Sequence, residues 1–330
     1  MRTLTIVTFS VVVWLFPGIG RAAIVPGPMA DLQIQLSRMS LRAPGHVAME
    51  VQDLSTGITS SVNPSASMPA ASTIKIPVMV EVFRQLALQN FDLNKTLTLT
   101  QGDKDWGSGS LSAQPSGRLY SVSQLLTAMI TVSDNTATNM LIRLVGRSNI
   151  NTEMTSLGLE HTKLSDYIRS SGNSIRRALR TSPADMVALL TAMAHERLID
   201  AWSSRQMIVI LSGQRHNGLL PAPLPAGLAI AHKTGTLHDT LNDVGIVYAD
   251  SEPYVIAVMT TNLPTLSSGR RFIRSVSKVA YDALQRFGTW KLSNDSLLQE
   301  QQIVTPPPSS TPLWDQAVPQ PEATPPDDSQ

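Results

Sequence analysis

Ser72-Thr73-Ile74-Lys75 stands near the start of an apolar stretch and places a hydroxyl three residues before an amine. In an α-helix, residues three apart lie on the same face, so the Lys75 amine can reach the Ser72 hydroxyl. A serine hydroxyl is a weak nucleophile until a neighbouring base takes its proton. The pattern therefore indicates a serine nucleophile with its own base, although four residues this simple also occur by chance.

Two later segments carry further polar groups. Ser133-Asp134-Asn135 alone would make a good helix N-cap. In a site, Ser133 would relay a proton to a leaving nitrogen, and Asp134 would bond to neighbouring amides. Asn135 has both a donor and an acceptor, so it would hold Lys75 and a substrate amide together.

The second segment, Lys233-Thr234-Gly235-Thr236, alone would be an ordinary edge strand. In a site, Lys233 and Thr234 would offer a cation and a hydroxyl to a carboxylate. Gly235 would remove a side chain where the substrate lies against the backbone. The amide of Thr236, with that of Ser72 at a helix N-terminus, is a candidate oxyanion donor.

Composition limits the class of protein. The chain has 330 residues, 42% of them hydrophobic, which is enough for one large domain or two interleaved ones. The net charge of +1 gives no general reason to expect binding to nucleic acid or to an anionic membrane. Because there is no cysteine, disulfides, thiolate catalysis and lipobox attachment are excluded.

Both ends of the chain differ from its middle. Residues 1–22 resemble a secretory signal, with Arg2, an apolar run over 4–16 and small residues before a cleavage site after Ala22. An uncleaved anchor is the alternative, and either predicts export to the periplasm or the medium. Residues 296–330 are rich in proline and polar residues, so we predict a disordered tail.

The remaining residues, 23–295, predict one catalytic domain of the α/β class, an α+β sandwich. We expect helices over 30–41 and 270–287 and strands over 47–51, 58–62, 232–237, 243–249 and 254–261. The strand over 47–51 alternates apolar and polar residues, which predicts burial on one face. The middle is helical, with a helix predicted over 73–88 and another beginning at Ser182-Pro183.

This pattern implies an antiparallel five-stranded sheet flanked by helices and closed by both ends of the chain, with an inserted all-helical subdomain. The sheet part would cover about 28–71 and 215–292, and the helical part about 72–214. A cleft between the two parts is the natural place for a site.

The three motifs in this order resemble those of the penicillin-recognising serine hydrolases, and the chain is similar to class A β-lactamases over residues 28–292. The resemblance implies that Ser72 attacks a lactam carbonyl to give an acyl-enzyme, with no metal or cofactor. It also implies that Trp106 lies at the cleft mouth, where the alternative is a surface or core tryptophan. The six histidines are expected to be surface or packing residues.

One departure from that family concerns the water that hydrolyses the acyl-enzyme. Class A β-lactamases activate it with a glutamate in a Glu-x-x-Leu-Asn pattern, but no glutamate occurs here between Glu160 and Pro183. Asp166 is the one carboxylate of that interval. It is either a surrogate base or a structural residue paired with an arginine, for which the candidates are Arg169, Arg176, Arg177 and Arg180.

Three functions follow as hypotheses. The first is a β-lactamase that uses Asp166 or Lys75 for deacylation, and the second is a penicillin-binding or peptidase-like protein that deacylates slowly. The third is a non-catalytic cell-wall binder. The expected partner is a small β-lactam or a cell-wall peptide, with no nucleic acid and no membrane after signal removal, and a monomer is the default.

Overall fold

The structure, a computed structural model, describes residues 27–170 and 178–294, and the predicted signal segment and tail lie outside them. Its helices and strands are α1 (Gly27–Ser40), β1 (His46–Asp53), β2 (Thr59–Val62), β3 (Met68–Pro69), α2 (Lys75–Ala87), β4 (Thr96–Thr98), β5 (Leu119–Ser121), α3 (Val122–Thr131), α4 (Asn135–Val145), α5 (Arg147–Ser156), β6 (Lys163–Leu164), β7 (Leu179–Thr181), α6 (Pro183–Ala194), α7 (Ala201–Ser212), β8 (Ala229–Leu237), β9 (Thr240–Tyr248), β10 (Tyr254–Thr261) and α8 (Leu266–Ser293).

The central sheet has five antiparallel strands in the order β2-β1-β10-β9-β8. Strands from both ends of the described chain meet where β1 pairs with β10. The predicted five-stranded α/β architecture is therefore confirmed, and β8 forms one edge of the sheet.

Helices cover both faces of this sheet. On one face α1 and α8 pack together, and their core includes Leu32, Leu36, Val276 and Phe287. On the other face α6 packs against β1, β9 and β10. Because both faces are covered, every residue of β10 is buried. Its sequence is therefore a nearly continuous apolar run rather than an alternation of apolar and polar residues.

The same packing corrects the expectation for β1. Val47, Met49 and Val51 are buried as predicted, but Ala48 on the opposite face is also fully buried, against Met259. The alternation predicted a strand with one solvent-exposed face. Alanine occurs on exposed and buried faces alike, so Ala48 did not indicate that a second layer of structure covers this face.

The inserted region is helical, and it also contains strands. Its local start signal at α6 is confirmed: Pro183 is the first helical residue, and the Ser182 side chain caps the helix by accepting from the Asp185 amide. The expectation of an all-helical subdomain is refined by two small sheets, one of β4 and β5 and one in which β6 and β7 join β3. These strands of two or three residues are too short to leave a period in the sequence.

No helix within the described residues is both long and apolar enough to cross a bilayer.

Candidate active site

Ser72 lies in a strained turn at the base of the cleft. The predicted helix is confirmed, but it opens with a 3-10 turn over Ala71–Ile74, and α2 begins at Lys75. Ala71 has a φ of 48°, an unfavourable left-handed conformation for alanine. The backbone turns sharply at Ala71. The next residue, Ser72, is half-buried and lines the cleft. Among the described residues, no backbone acceptor engages the Ser72 amide.

A buried asparagine attaches this turn to the sheet. The side-chain amide of Asn242, on β9, donates to the carbonyls of Pro69 and Ala70 over 2.8 and 3.2 Å. Its oxygen accepts from the Thr260 amide of β10 over 3.1 Å. The position of the turn that carries Ser72 is thus fixed by side-chain bonds to the middle of the sheet.

Gly235 lies beside the same turn. A Cβ built at Gly235 would lie 2.9 Å from the carbonyl oxygen of Ala70 and 3.2 Å from the Ser72 nitrogen. The missing side chain therefore makes room for the protein's own backbone, and its predicted role beside a substrate stays a prediction. The requirement for glycine here is a requirement of close packing.

Lys75 is fully buried and makes three short contacts. Its Nζ donates to the Ser133 carbonyl over 2.6 Å, to Asn135 Oδ1 over 2.7 Å and to Ser133 Oγ over 3.0 Å. Burial, and then repulsion from Lys233, hold the pKa of Lys75 well below its ordinary value. The lowered pKa makes the amine more available as a general base.

Ser133 joins the two buried lysines. Its Oγ accepts from Lys75 and, over 3.1 Å, from Nζ of Lys233, which also donates to the Thr234 carbonyl over 2.9 Å. Ser133 has a φ of 59°, a strained value that turns its side chain out of the regular path of the chain. Burial lowers the pKa of Lys233 to about 7, against an opposing effect of Asp243.

The other two residues of that segment have different surroundings. Asp134 caps α4 by accepting from the Ala137 amide, and its second oxygen accepts from the amides of Ser110 and Leu111. Asn135 accepts from Lys75 and donates from Nδ2 to Asp105 Oδ1 over 2.7 Å. Asp134 therefore shapes the loop, whereas Asn135 contacts the lysine.

The cleft has a volume of about 760 Å³, and residues from all three motifs line it. Thr234 and Thr236 line it from β8, whose outer edge pairs with no strand in the described sheet. An edge strand leaves alternate backbone amides unpaired, so β8 has the donors that an oxyanion needs.

The rim carries an aromatic residue, and two histidines and an arginine line the cleft. Trp106 is 72% exposed and directly precedes Gly107, which lines the cleft. His216, His238 and Arg270 line the cleft as well. The two histidines were expected to be surface or packing residues, and no short-range spacing in the sequence links them to this wall.

The structure does not bring Asp166 into the cleft. Its side chain is 58% exposed, and its Oδ1 lies 3.9 Å from Nη1 of Arg147, an arginine outside the four predicted partners. The residues of this loop that line the cleft are Ile168 and Ser170. Among the described lining residues there is no aspartate or glutamate, and residues 171–177 contain neither.

Two buried polar residues of the site were missed by sequence reasoning. Asp105, 6% exposed, contacts Asn135 and the loop at Ser170. Asn139 accepts from the Ile168 amide over 2.8 Å and donates to its carbonyl over 3.1 Å, which fixes the loop backbone. Asn139 follows Asn135 by one helical turn, and that spacing was the available signal.

Together these groups can perform acyl transfer. The Ser72 and Ser133 hydroxyls line one cleft, and the buried amines of Lys75 and Lys233 both bond to Ser133 behind it. This is the set that nucleophilic attack on a carbonyl with proton transfer to a leaving group requires.

Comparison with known proteins agrees with this chemistry. The sequence model described as "Beta-lactamase enzyme family" matches residues 31–284. The solved structure of PBP-A is similar over 78% of this chain and 97% of its own, with 30% identity and a TM-score of 0.73.

Two β-lactamase structures show the same likeness. One from Sphaerobacter thermophilus DSM 20745 is 29% identical and covers 77% of this chain and 96% of its own, with a TM-score of 0.71. An ancestral class A β-lactamase is 26% identical over 76% of this chain and 99% of its own, with a TM-score of 0.69.

Proposed function

Because this chain belongs to the β-lactamase enzyme family, we propose that it is a serine hydrolase that β-lactams acylate at Ser72 and that releases the acyl group slowly. The observation that carries the proposal is the composition of the cleft wall. Ser72 and Ser133 line it, Lys75 and Lys233 bond to Ser133 from behind it, and its described lining includes no carboxylate.

Acylation uses Ser72, which lines the cleft, together with Lys75, Ser133 and Lys233, which are already in contact with one another through Ser133. Neutral Lys75 accepts the Ser72 proton as the hydroxyl oxygen attacks the lactam carbonyl, and the amides of Ser72 and Thr236 stabilise the oxyanion. As the C–N bond breaks, Ser133 gives its proton to the lactam nitrogen, and the nearby amine of Lys75 returns one to Ser133. Lys233 and Thr234 bind the substrate carboxylate.

Deacylation needs a base that can reach a water molecule. A general base must come within about 3 Å of the proton that it takes, and the ion pair of Asp166 with Arg147 lies on the surface. The acyl-enzyme would therefore persist for longer than in an enzyme with a carboxylate in its cleft. This is the penicillin-binding alternative of the sequence analysis.

A second candidate is a β-lactamase that turns over with Lys75 as the base for both steps. The lowered pKa of Lys75 favours it, because an amine that is neutral after acylation can accept a proton from water. Either activity would take place outside the cytoplasm if the predicted signal at residues 1–22 is used.

The test is intact mass spectrometry of the protein during incubation with benzylpenicillin, with the free drug followed in the same tube. We expect an adduct of one drug mass on the wild type and on Ser116→Ala, a surface control, and none on Ser72→Ala. A persistent adduct supports slow release, whereas rapid consumption without an adduct supports the β-lactamase.

Two results would overturn this proposal. Adduct formation on Ser72→Ala would remove Ser72 as the nucleophile. Neither adduct nor drug consumption on the wild type would remove β-lactams as substrates and would direct the search to peptide or ester substrates.

A further inference from the structure

A buried carboxylate that the acylation chemistry does not use lies behind the cleft wall. We propose that Asp105 is a positioning residue that ties two walls of the cleft together. It fixes the amide of Asn135 against Lys75, and it holds the loop that carries Ser170. The inference rests on the proposed function where it concerns acylation rates, but its structural part can be measured without them.

The contacts of Asp105 reach both walls. Oδ1 accepts from Asn135 Nδ2 over 2.7 Å and from the Gly107 amide over 3.0 Å. Oδ2 accepts from the Ser170 amide over 2.7 Å and from its hydroxyl over 3.0 Å. With four donors satisfied and the group buried, the carboxylate has one stable arrangement.

On the helix side, Asp105 decides which way the Asn135 amide points. An amide can rotate so that its oxygen and nitrogen exchange places. Because the carboxylate accepts only, Nδ2 must face it, and Oδ1 must then face Lys75, where it accepts over 2.7 Å. The orientation of the lysine amine therefore depends on a residue that it does not contact.

On the loop side, the two segments lie very close together. A Cβ at Gly107 would lie 2.2 Å from Cβ of Ser170, so no side chain fits between them. Ser170 and Gly107 both line the cleft, and Asp105 bonds to both. The width of the cleft at this wall thus follows from one carboxylate.

The same carboxylate contributes to the charge balance around Lys75. The charged groups that act on Lys75 are Lys233, which lowers its pKa, and Asp134 and Asp105, which raise it. Burial alone would raise the pKa of Asp105, but the hydrogen bonds from Asn135, Ser170 and Gly107 outweigh it and lower the pKa. Asp105 is therefore ionised at neutral pH, and its removal lowers the pKa of Lys75 further.

The experiment compares Asp105→Asn with Asp103→Asn. Both aspartates are buried in the same segment, but Asp103 bonds to Thr100 and Arg143, away from the motif residues. An asparagine at 105 has one acceptor oxygen for four donors, so one wall must detach. We expect the plateau rate of acylation by benzylpenicillin to fall about 10- to 100-fold in Asp105→Asn and less than threefold in Asp103→Asn.

A second readout does not depend on acylation. In NMR spectra, the side chain of Lys75, assigned by its absence from Lys75→Met, should titrate at a lower pH in Asp105→Asn than in the wild type. It should be unchanged in Asp103→Asn. The Asn135 side-chain amide protons should exchange faster with solvent in Asp105→Asn alone.

The outcomes separate the inference from the proposed function. If the wild type is not acylated but the NMR differences appear, the proposed function fails and the positioning role stands. If the two asparagine variants behave alike in both readouts, Asp105 is an ordinary structural residue and the inference is overturned. Asp105→Glu, which keeps the charge, should restore the Lys75 titration in part.

Discussion

Lys233 Nζ lies 3.1 Å from Ser133 Oγ, so an edge strand of the sheet and a loop of the helical region meet in one hydrogen bond. Both side chains are buried. The bond crosses the interface between the two halves of the fold, and the cleft lies beside it. The charge of Lys233 therefore acts directly on the Ser133 hydroxyl and, in the proposed mechanism, on the substrate carboxylate as well.

The pH dependence of acylation should report Lys233. Its pKa of about 7 means that the side chain is a cation below pH 7 and neutral above it. We expect the second-order rate constant for acylation by benzylpenicillin to fall as the pH rises through about 7, because the cation that binds the carboxylate is lost. Stopped-flow measurement of acylation checks this.

The control is a penicillin methyl ester, which has no carboxylate for Lys233 to bind. Its acylation rate should fall less above pH 7, because only the effect of Lys233 on the Ser133 hydroxyl remains. An identical fall for acid and ester would show that carboxylate binding by Lys233 does not set that limb of the profile.

Gly235→Ala should disturb the nucleophile. Its Cβ would lie 2.9 Å from a backbone oxygen, so the turn carrying Ser72 must shift away from β8. We expect a loss of about 1–3 kcal/mol in the free energy of unfolding and an acylation rate at least about tenfold lower. Urea denaturation and mass-spectrometric labelling measure the two effects.

Gly102→Ala is the matched control, since its Cβ would lie 3.7 Å from the Thr100 hydroxyl, an ordinary contact. Normal acylation in Gly235→Ala would mean that the turn has room to move without moving Ser72.

Asp166→Asn should leave acyl-enzyme hydrolysis unchanged. The side chain is more than half exposed and lies 3.9 Å from Arg147, a contact of little energetic value. We expect the deacylation rate to stay within about twofold of the wild type and stability within about 0.5 kcal/mol. A tenfold slower decay of the acyl-enzyme would make Asp166 the water base after all.

Ile168→Glu should accelerate deacylation. The Ile168 side chain lines the cleft, and Asn139 fixes its backbone, so the new carboxylate would enter the wall that lacks one. We expect hydrolysis of the adduct at least about tenfold faster, within the range that general base catalysis supplies. Decay of the adduct in mass spectra measures it.

Ile168→Gln has the same shape as that variant without a base and should behave like the wild type. Because Ile168 is buried, both variants lose stability, and their melting temperatures must be compared. Equal rates for Glu and Gln would show that a carboxylate at 168 does not reach the water.

The sequence predicted the sheet and the motif residues because their signals are local. Strands such as Tyr254–Thr261 are apolar runs between turn residues, and Ser182-Pro183 is a helix start that depends on its immediate neighbours. Ser72, Lys75 and Ser133 belong to short sequence motifs, and the spacing within such motifs can be read from the sequence alone. The structure places Ser72 and Ser133 in one cleft, with Lys75 bonded to Ser133.

What the sequence did not predict depends on contacts between distant segments. Nothing in the sequence distinguishes Asp105 from the other aspartates. Its carboxylate contacts Asn135 and Ser170, which lie 30 and 65 residues further along the chain, and only the structure shows these contacts. Asp166 occupies the right loop, but the side chains that enter the cleft are two and four residues later. Gly235 packs closely against the carbonyl oxygen of Ala70, and no repeating pattern in the sequence links these two distant residues.

The pairing of β1 with β10 has a consequence for the order of assembly. Residues 46–53 cannot complete their sheet until residues 254–261 have been synthesised. Two strands so far apart in the sequence pair slowly. The entropy cost of closing the long loop between them must be met before their contacts stabilise the pair. During synthesis the sheet therefore stays open until most of the chain has been made.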